Sequence, residues 1–145
     1  MDLVQLLNDL TGGQLLLWKV LLTSVIFACA GLQVLAARFY EASTVPPIST
    51  GAASRTHRLN GKLTVTLAVV VALSCLIGPA GPTSPTRVLL HSVFGSLVFG
   101  LLAAKYTALK LRPSWGRYLP WIGSGLFLTL AAIWATSVTD YVTAR

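Results

Sequence analysis

Arg87-VLLHSVFGSLVFGLLAA-Lys105 decides the reading of this chain: the seventeen residues between the two cations carry no Asp, Glu, Lys or Arg. At ~1.5 Å per residue, a helix of that length covers most of the ~30 Å hydrocarbon core of a bilayer. Its only ionisable group below the expected membrane surface is His91, four residues past Arg87. An imidazole there faces the bundle interior by default, held by a hydrogen-bond partner, a proton path or a metal.

Three more apolar runs of similar length flank this one. Together they predict spans at about 15–37, 59–78, 88–104 and 119–138 within a single transmembrane domain covering residues 1–145. The chain is 54% hydrophobic and 10% charged, with positive mean hydropathy, which excludes an ordinary soluble domain. Open strand edges cannot survive in lipid, so the expected fold is all-α, a four-helix transmembrane bundle with antiparallel up-down topology.

The net charge of +7 follows this topology. Arg38, Arg55, Arg58 and Lys62 flank the first connection, and Lys105, Lys110, Arg112 and Arg117 flank the third. Asp2, Asp9, Arg87, Asp140 and Arg145 mark the opposite side, so the positive-inside rule places both termini outside a bacterial inner (plasma) membrane. The basic loops then meet lipid headgroups, and nucleic acid is not an expected partner. Trp18, Phe39, Tyr40, Tyr106, Trp115, Tyr118, Trp121 and Tyr141 fall at span ends as interface anchors. The first span lacks a basic leader and is too long for a cleaved signal, so it is expected to stay in the mature protein. Ahead of it, Leu3, Leu6, Leu7 and Leu10 have helical spacing, which predicts a short amphipathic helix ended by Gly12-Gly13.

The connections carry turn chemistry. Glu41 to Thr56 reads as an irregular cytoplasmic strap, and the Pro-rich Pro79 to Thr86 is short enough to make spans two and three antiparallel neighbours. Pro120 falls in the first turn of span four, where a missing N–H costs nothing. Two fragments share a pattern, His57-Arg-Leu-Asn-Gly61 and His91-Ser-Val-Phe-Gly95, with Gly four residues after His on the same helix face. Gly there lets a flat ligand or a neighbouring helix approach the backbone. Cys29 and Cys75 lie at depths differing by more than a disulfide can bridge and read as packing residues.

His57 and His91 are the candidate cofactor residues, and they do not fit one haem. His57 begins span two at the cytoplasmic end and His91 lies near the outer end of span three, about 25 Å away along the normal. Ser74, Cys75 and Lys19 are level with His91. A Cys75 thiolate with His91 could ligate haem, but two ligands do not close a zinc site, so no other metal is expected. The simplest partner for His91 is Ser74 or a backbone carbonyl. Beside Arg55, Arg58, Lys62 and Lys105, repulsion keeps His57 neutral at an interfacial loop position, while Lys62 and Lys105 snorkel to the headgroups.

The stretches HRLNGKL, TRVLLHSVFGSLVFGLLAAK and GRYLPWIGSGLFLTLAAIWATS resemble an uncharacterised bacterial family of small four-helix membrane proteins. This resemblance covers most of the chain from Gln33 onward, and the family is similar to b-type cytochromes of the ferric-reductase-like transmembrane class. The resemblance implies a His matching His57, another near the outer end of span two, and a third matching His91, the last two forming a level pair for haem b. This chain has Leu73-Ser74-Cys75 at the middle position.

These readings predict an integral membrane accessory subunit of a respiratory or related electron-transfer complex, working beside other membrane subunits. A haem b-binding electron carrier with His91 as an axial ligand is the alternative, and a small transporter comes third because no span has an internal carboxylate. No nucleophile, base and oxyanion constellation is visible, so a stand-alone enzyme is not expected.

Overall fold

The computed structural model describes residues 3–41, 50–77 and 84–143, without the side chains of 38–41, 50 and 140. The expected roles of Asp2, Arg38, Phe39, Tyr40, Asp140 and Arg145, and most of the first two connections, lie outside the described residues. Every described element is helical: α1 Leu3–Leu10, α2 Leu15–Glu41, α3 Thr50–Ile77, α4 Pro85–Tyr106 and α5 Leu119–Thr143. The last four are each long and apolar enough to cross a membrane.

The helix ends follow local chemistry. Gly12 and Gly13 adopt φ of 60° and 78°, and Gly13 N–H donates to Asn8 O while Gly12 N–H donates to Asp9 O. This pair of bonds is a Schellman closure, which needs the positive φ that glycine supplies most readily. Ser84 caps α4, its hydroxyl accepting from Arg87 N–H, and Pro85 takes the first turn. Beyond Tyr106, α4 relaxes into a π-helical turn, Thr107–Leu111, and a 3-10 turn, Pro113–Tyr118, leads into α5. The third connection is therefore ordered helical turn, not open loop. Its guanidinium groups stack locally, Arg112 5.8 Å from the Trp115 ring centre and Arg117 4.8 Å from that of Tyr118.

The first connection also needs correction. Thr50 to Thr56, expected as irregular strap, is the opening of α3, because Ala52 and Ala53 favour helix and Ala53 buries to 3% exposure.

Helix α2 is the spine. Val20, Thr23, Ile26, Ala30 and Ala36 form its buried stripe at three-, four- and six-residue steps, while Leu21, Val25, Leu32 and Leu35 face outward. In lipid such outward leucines cost nothing. α3 and α5 both pack on α2, and α4 packs on α5. Contacts pair Cys29 with Asn60 and Gln33 with His57 between α2 and α3. Between α4 and α5 they pair Arg87 with Thr143 and His91 with Thr136. Phe27 of α2 stacks between Phe127 and Trp134 of α5, with ring centres 5.4 and 5.0 Å away, and Trp134 Nε1–H donates to Ser24 Oγ at 2.9 Å.

Spans two and three, expected as antiparallel neighbours, wall one cavity together but are not closely packed. α3 and α4 make at most marginal backbone contact. Where they face each other, Ala68 and Ala72 on α3 and Ser92, Gly95 and Ser96 on α4 are too small to fill the gap, and a cavity remains.

Candidate functional site

That cavity has a volume of about 590 Å³, within the ~300–1,000 Å³ range of small-molecule sites. It occupies the half of the bundle where α2 and α4 begin and α3 and α5 end. All four long helices wall it, and its deeper part is apolar, with Ile26, Val71, Val98, Phe99, Leu130 and Ile133. Near the helix starts, Lys19, Arg87, His91, Cys75, Thr23 and Ser137 supply polar groups. Among the side chains described, which do not include that of Asp140, no carboxylate lines it.

His91 is half-buried on the α4 wall. Its Nδ1 is 3.4 Å from Thr136 Oγ1. The Thr136 hydroxyl donates its single proton to Ile133 O at 2.8 Å, so it can only accept from His91. The expected partner Ser74 donates to Val71 O at 2.7 Å, a back-bond to its own helix, and is not among the residues lining the cavity. Cys75 and Lys19 do share the cavity with His91, as their sequence depth suggests, and Cys29 and Cys75 are both free thiols.

Arg87 donates through Nη1 to Thr143 Oγ1 at 3.1 Å, which ties the start of α4 to the end of α5. Lys19 is only 5% exposed, the most enclosed cation of the cavity wall.

His57 lies in a separate polar cluster. From Cys75 back to His57 is eighteen residues of α3, about 27 Å of helix. His57 is no loop residue: it sits about two turns inside the extended α3, half-buried, with Nδ1 3.3 Å from Gln33 O. Gln33 Nε2 in turn donates to His57 O at 2.7 Å, and Asn60 Nδ2 donates to Cys29 O at 2.7 Å. Lys105, half-buried at the end of α4, is near enough for its charge to act on His57, while Lys62 is exposed. Buried amides in apolar helices hold them together when both ends are satisfied. Gln33 Oε1 is the exception, buried without a hydrogen bond.

The two His-x3-Gly fragments therefore serve different ends. A Cβ on Gly61 would stand 2.9 Å from Gln33 Nε2, so this glycine admits the neighbouring helix's amide. A Cβ on Gly95 would meet nothing within 4 Å, and Gly95 lines the cavity.

A family model described as a family of unknown function, DUF6529, matches residues 6–145. The chain belongs to this family. No curated protein and no solved structure matches it. In this DUF6529 chain, sequence reasoning passed over Gln33, Asn60, Thr136 and Trp134. The signal for the first two was there: an amide within an apolar span needs a partner in a neighbouring helix. Thr136 and Trp134 had no such mark, since hydroxyls satisfy themselves locally and tryptophans are common at interfaces.

Among the described residues, no group of three or more His, Cys, Asp or Glu side chains could hold a metal ion. For haem, His91 has the orienting second partner that axial histidines use, through Nδ1–H to Thr136. An opposing ligand would have to come from Cys75 or Lys19, which wall the same cavity.

Proposed function

We propose that this chain is an integral membrane binding subunit whose cavity between α3 and α4 holds an elongated, mainly apolar molecule with one polar end. The cavity carries the reading: a four-walled space, apolar at depth and polar at one end, left open where small side chains face each other. The space is open along its α3–α4 side, where Leu76, Val88 and Phe99 are exposed, so a lipid-soluble molecule has a lateral way in. By the positive-inside rule, the polar end of the cavity faces outward across a bacterial plasma membrane, because Arg55, Arg58, Lys62, Lys110, Arg112 and Arg117 gather at the other end. Native mass spectrometry of the chain released from mild detergent tests this. The wild type is expected to carry a non-protein mass that Gly95→Leu, which adds volume where no atom stands within 4 Å, no longer carries. A bare chain in both cases contradicts the proposal.

A second reading, a subunit of an electron-transfer complex that carries haem b or assists partners that do, rests on His91, Cys75 and Lys19 sharing one cavity. His91 would ligate through Nε2, with Cys75 or Lys19 opposite, and haem would supply one-electron chemistry when bound. An absorption spectrum decides it. A reducible Soret band lost in His91→Ala favours this reading, and a featureless spectrum removes the haem-bearing form.

A further inference from the structure

We infer that the occupant of the α3–α4 cavity is one acyl chain of a membrane phospholipid, drawn in sideways from the leaflet at the cavity's polar end while the lipid's second chain stays in the bilayer. This rests on the binding-subunit reading and names its ligand.

The cavity opens toward lipid. Its rim between α3 and α4 carries Leu76 at 83% exposure, with Val88 and Phe99. In a membrane these side chains touch acyl tails, which are as apolar as leucine and far more concentrated there than any free amphiphile. A tail that slides between the two helices gives up no apolar surroundings on the way. A free amphiphile must displace it.

Depth matches a single leaflet. From Arg87 to Phe99 the α4 wall runs twelve residues, about 18 Å. Half of a bilayer with its headgroups is about 20–22 Å, so a chain entering at the Arg87 end finishes short of the mid-plane. Ser92, on the same wall, is five residues or about 8 Å below Arg87. That is roughly one headgroup layer down, at the edge of the hydrocarbon, where an ester carbonyl can accept from its hydroxyl.

Size admits one chain. At about 30 Å³ per non-hydrogen atom, the share of a water molecule in the liquid, about 590 Å³ holds roughly twenty atoms. One long acyl chain is of that size and two are double it. Charge does not select the headgroup: Lys19 and Arg87 at the polar end both already interact with groups of the chain, Arg87 through Thr143, so a zwitterionic lipid suits the site.

Photolabelling tests this on the full chain in phosphatidylcholine bilayers, with a phosphatidylcholine carrying a diazirine near the end of one acyl chain and, separately, with diazirine-bearing palmitate. The lipid probe is expected to label Val98 and Ile133, which line the cavity, as well as Leu97, which is 46% exposed on α4 at the depth of Val98. Gly95→Leu and Ala72→Leu fill the slot from opposite walls, and each should remove the label from Val98 and Ile133 while leaving that on Leu97. An excess of unlabelled palmitate should not compete. Label on Val98 and Ile133 that both variants leave in place overturns the proposal. Val98 and Ile133 labelled by the palmitate probe alone, or cleared of the lipid label by excess palmitate, overturns the phospholipid while the binding subunit stands. Val98 and Ile133 unlabelled by either probe overturns the lipid alone if native mass spectrometry still finds a bound mass, and overturns both readings if the chain is bare.

Discussion

Gly61 of α3 lies directly against Gln33 of α2: a methyl group at position 61 would stand 2.9 Å from Gln33 Nε2, an atom already committed to His57 O at 2.7 Å. Gly61→Ala alone gains about 1 kcal/mol of helix propensity but displaces the amide and loses a bond of about the same size, so little net change is expected. In a Gln33→Ala background nothing obstructs the methyl, and the same substitution should stabilise by about 1 kcal/mol. Unfolding in mixed micelles measures both. Additive effects would show that the two residues are not coupled.

Trp134 ties α5 to α2 through one hydrogen bond and one ring stack. Trp134→Phe keeps the stack on Phe27 and removes the bond to Ser24, a loss of roughly 0.6 kcal/mol by the average for such bonds in membranes. Trp134→Ala removes both and should cost about 3–5 kcal/mol. Ser24→Ala should match Trp134→Phe, and the two together should cost no more than either. Thermal unfolding of the four variants checks the order.

Much of this was legible in the residues. Uninterrupted apolar runs mark four spans because lipid tolerates no exposed backbone, and Gly12-Gly13 after the leucine-spaced segment marks the end of α1. Depth along the helices was enough to bring Lys19, Cys75 and His91 together. Lateral packing was not legible. In a membrane, leucines face lipid and core alike, so periodicity does not say which helices touch, and a short connection implied a contact between α3 and α4 that small side chains leave open. The Ser74 assignment failed for a related reason, since a serine on a helix can satisfy itself at Val71.

Cys75 is exposed and lines the cavity, whereas Cys29 is half-buried on the spine helix. A membrane-impermeant maleimide added to intact cells is expected to label Cys75 and leave Cys29 unmodified. Ala52→Cys, at an exposed position near the start of α3, should be labelled only after permeabilisation. The reverse pattern for Cys75 and Ala52→Cys would invert the proposed orientation.

His91→Gln and Thr136→Val probe the same hydrogen bond from its two sides. Thr136→Val leaves the His91 Nδ1 proton without its acceptor and is expected to cost about 1–3 kcal/mol, more than His91→Gln, whose amide can still donate to the hydroxyl. Equal costs, or a stabilised Thr136→Val, would mean that the imidazole is held elsewhere.

The central claim is that α3 and α4 stand apart around a molecule held within the bundle. A crystal structure of the detergent-purified chain tests it most directly. Elongated non-protein density between the two helices, beginning near Lys19 and Arg87 and ending near Phe99, is the expected result. Helices α3 and α4 in side-chain contact, with no density between Val71 and Val98, would contradict it.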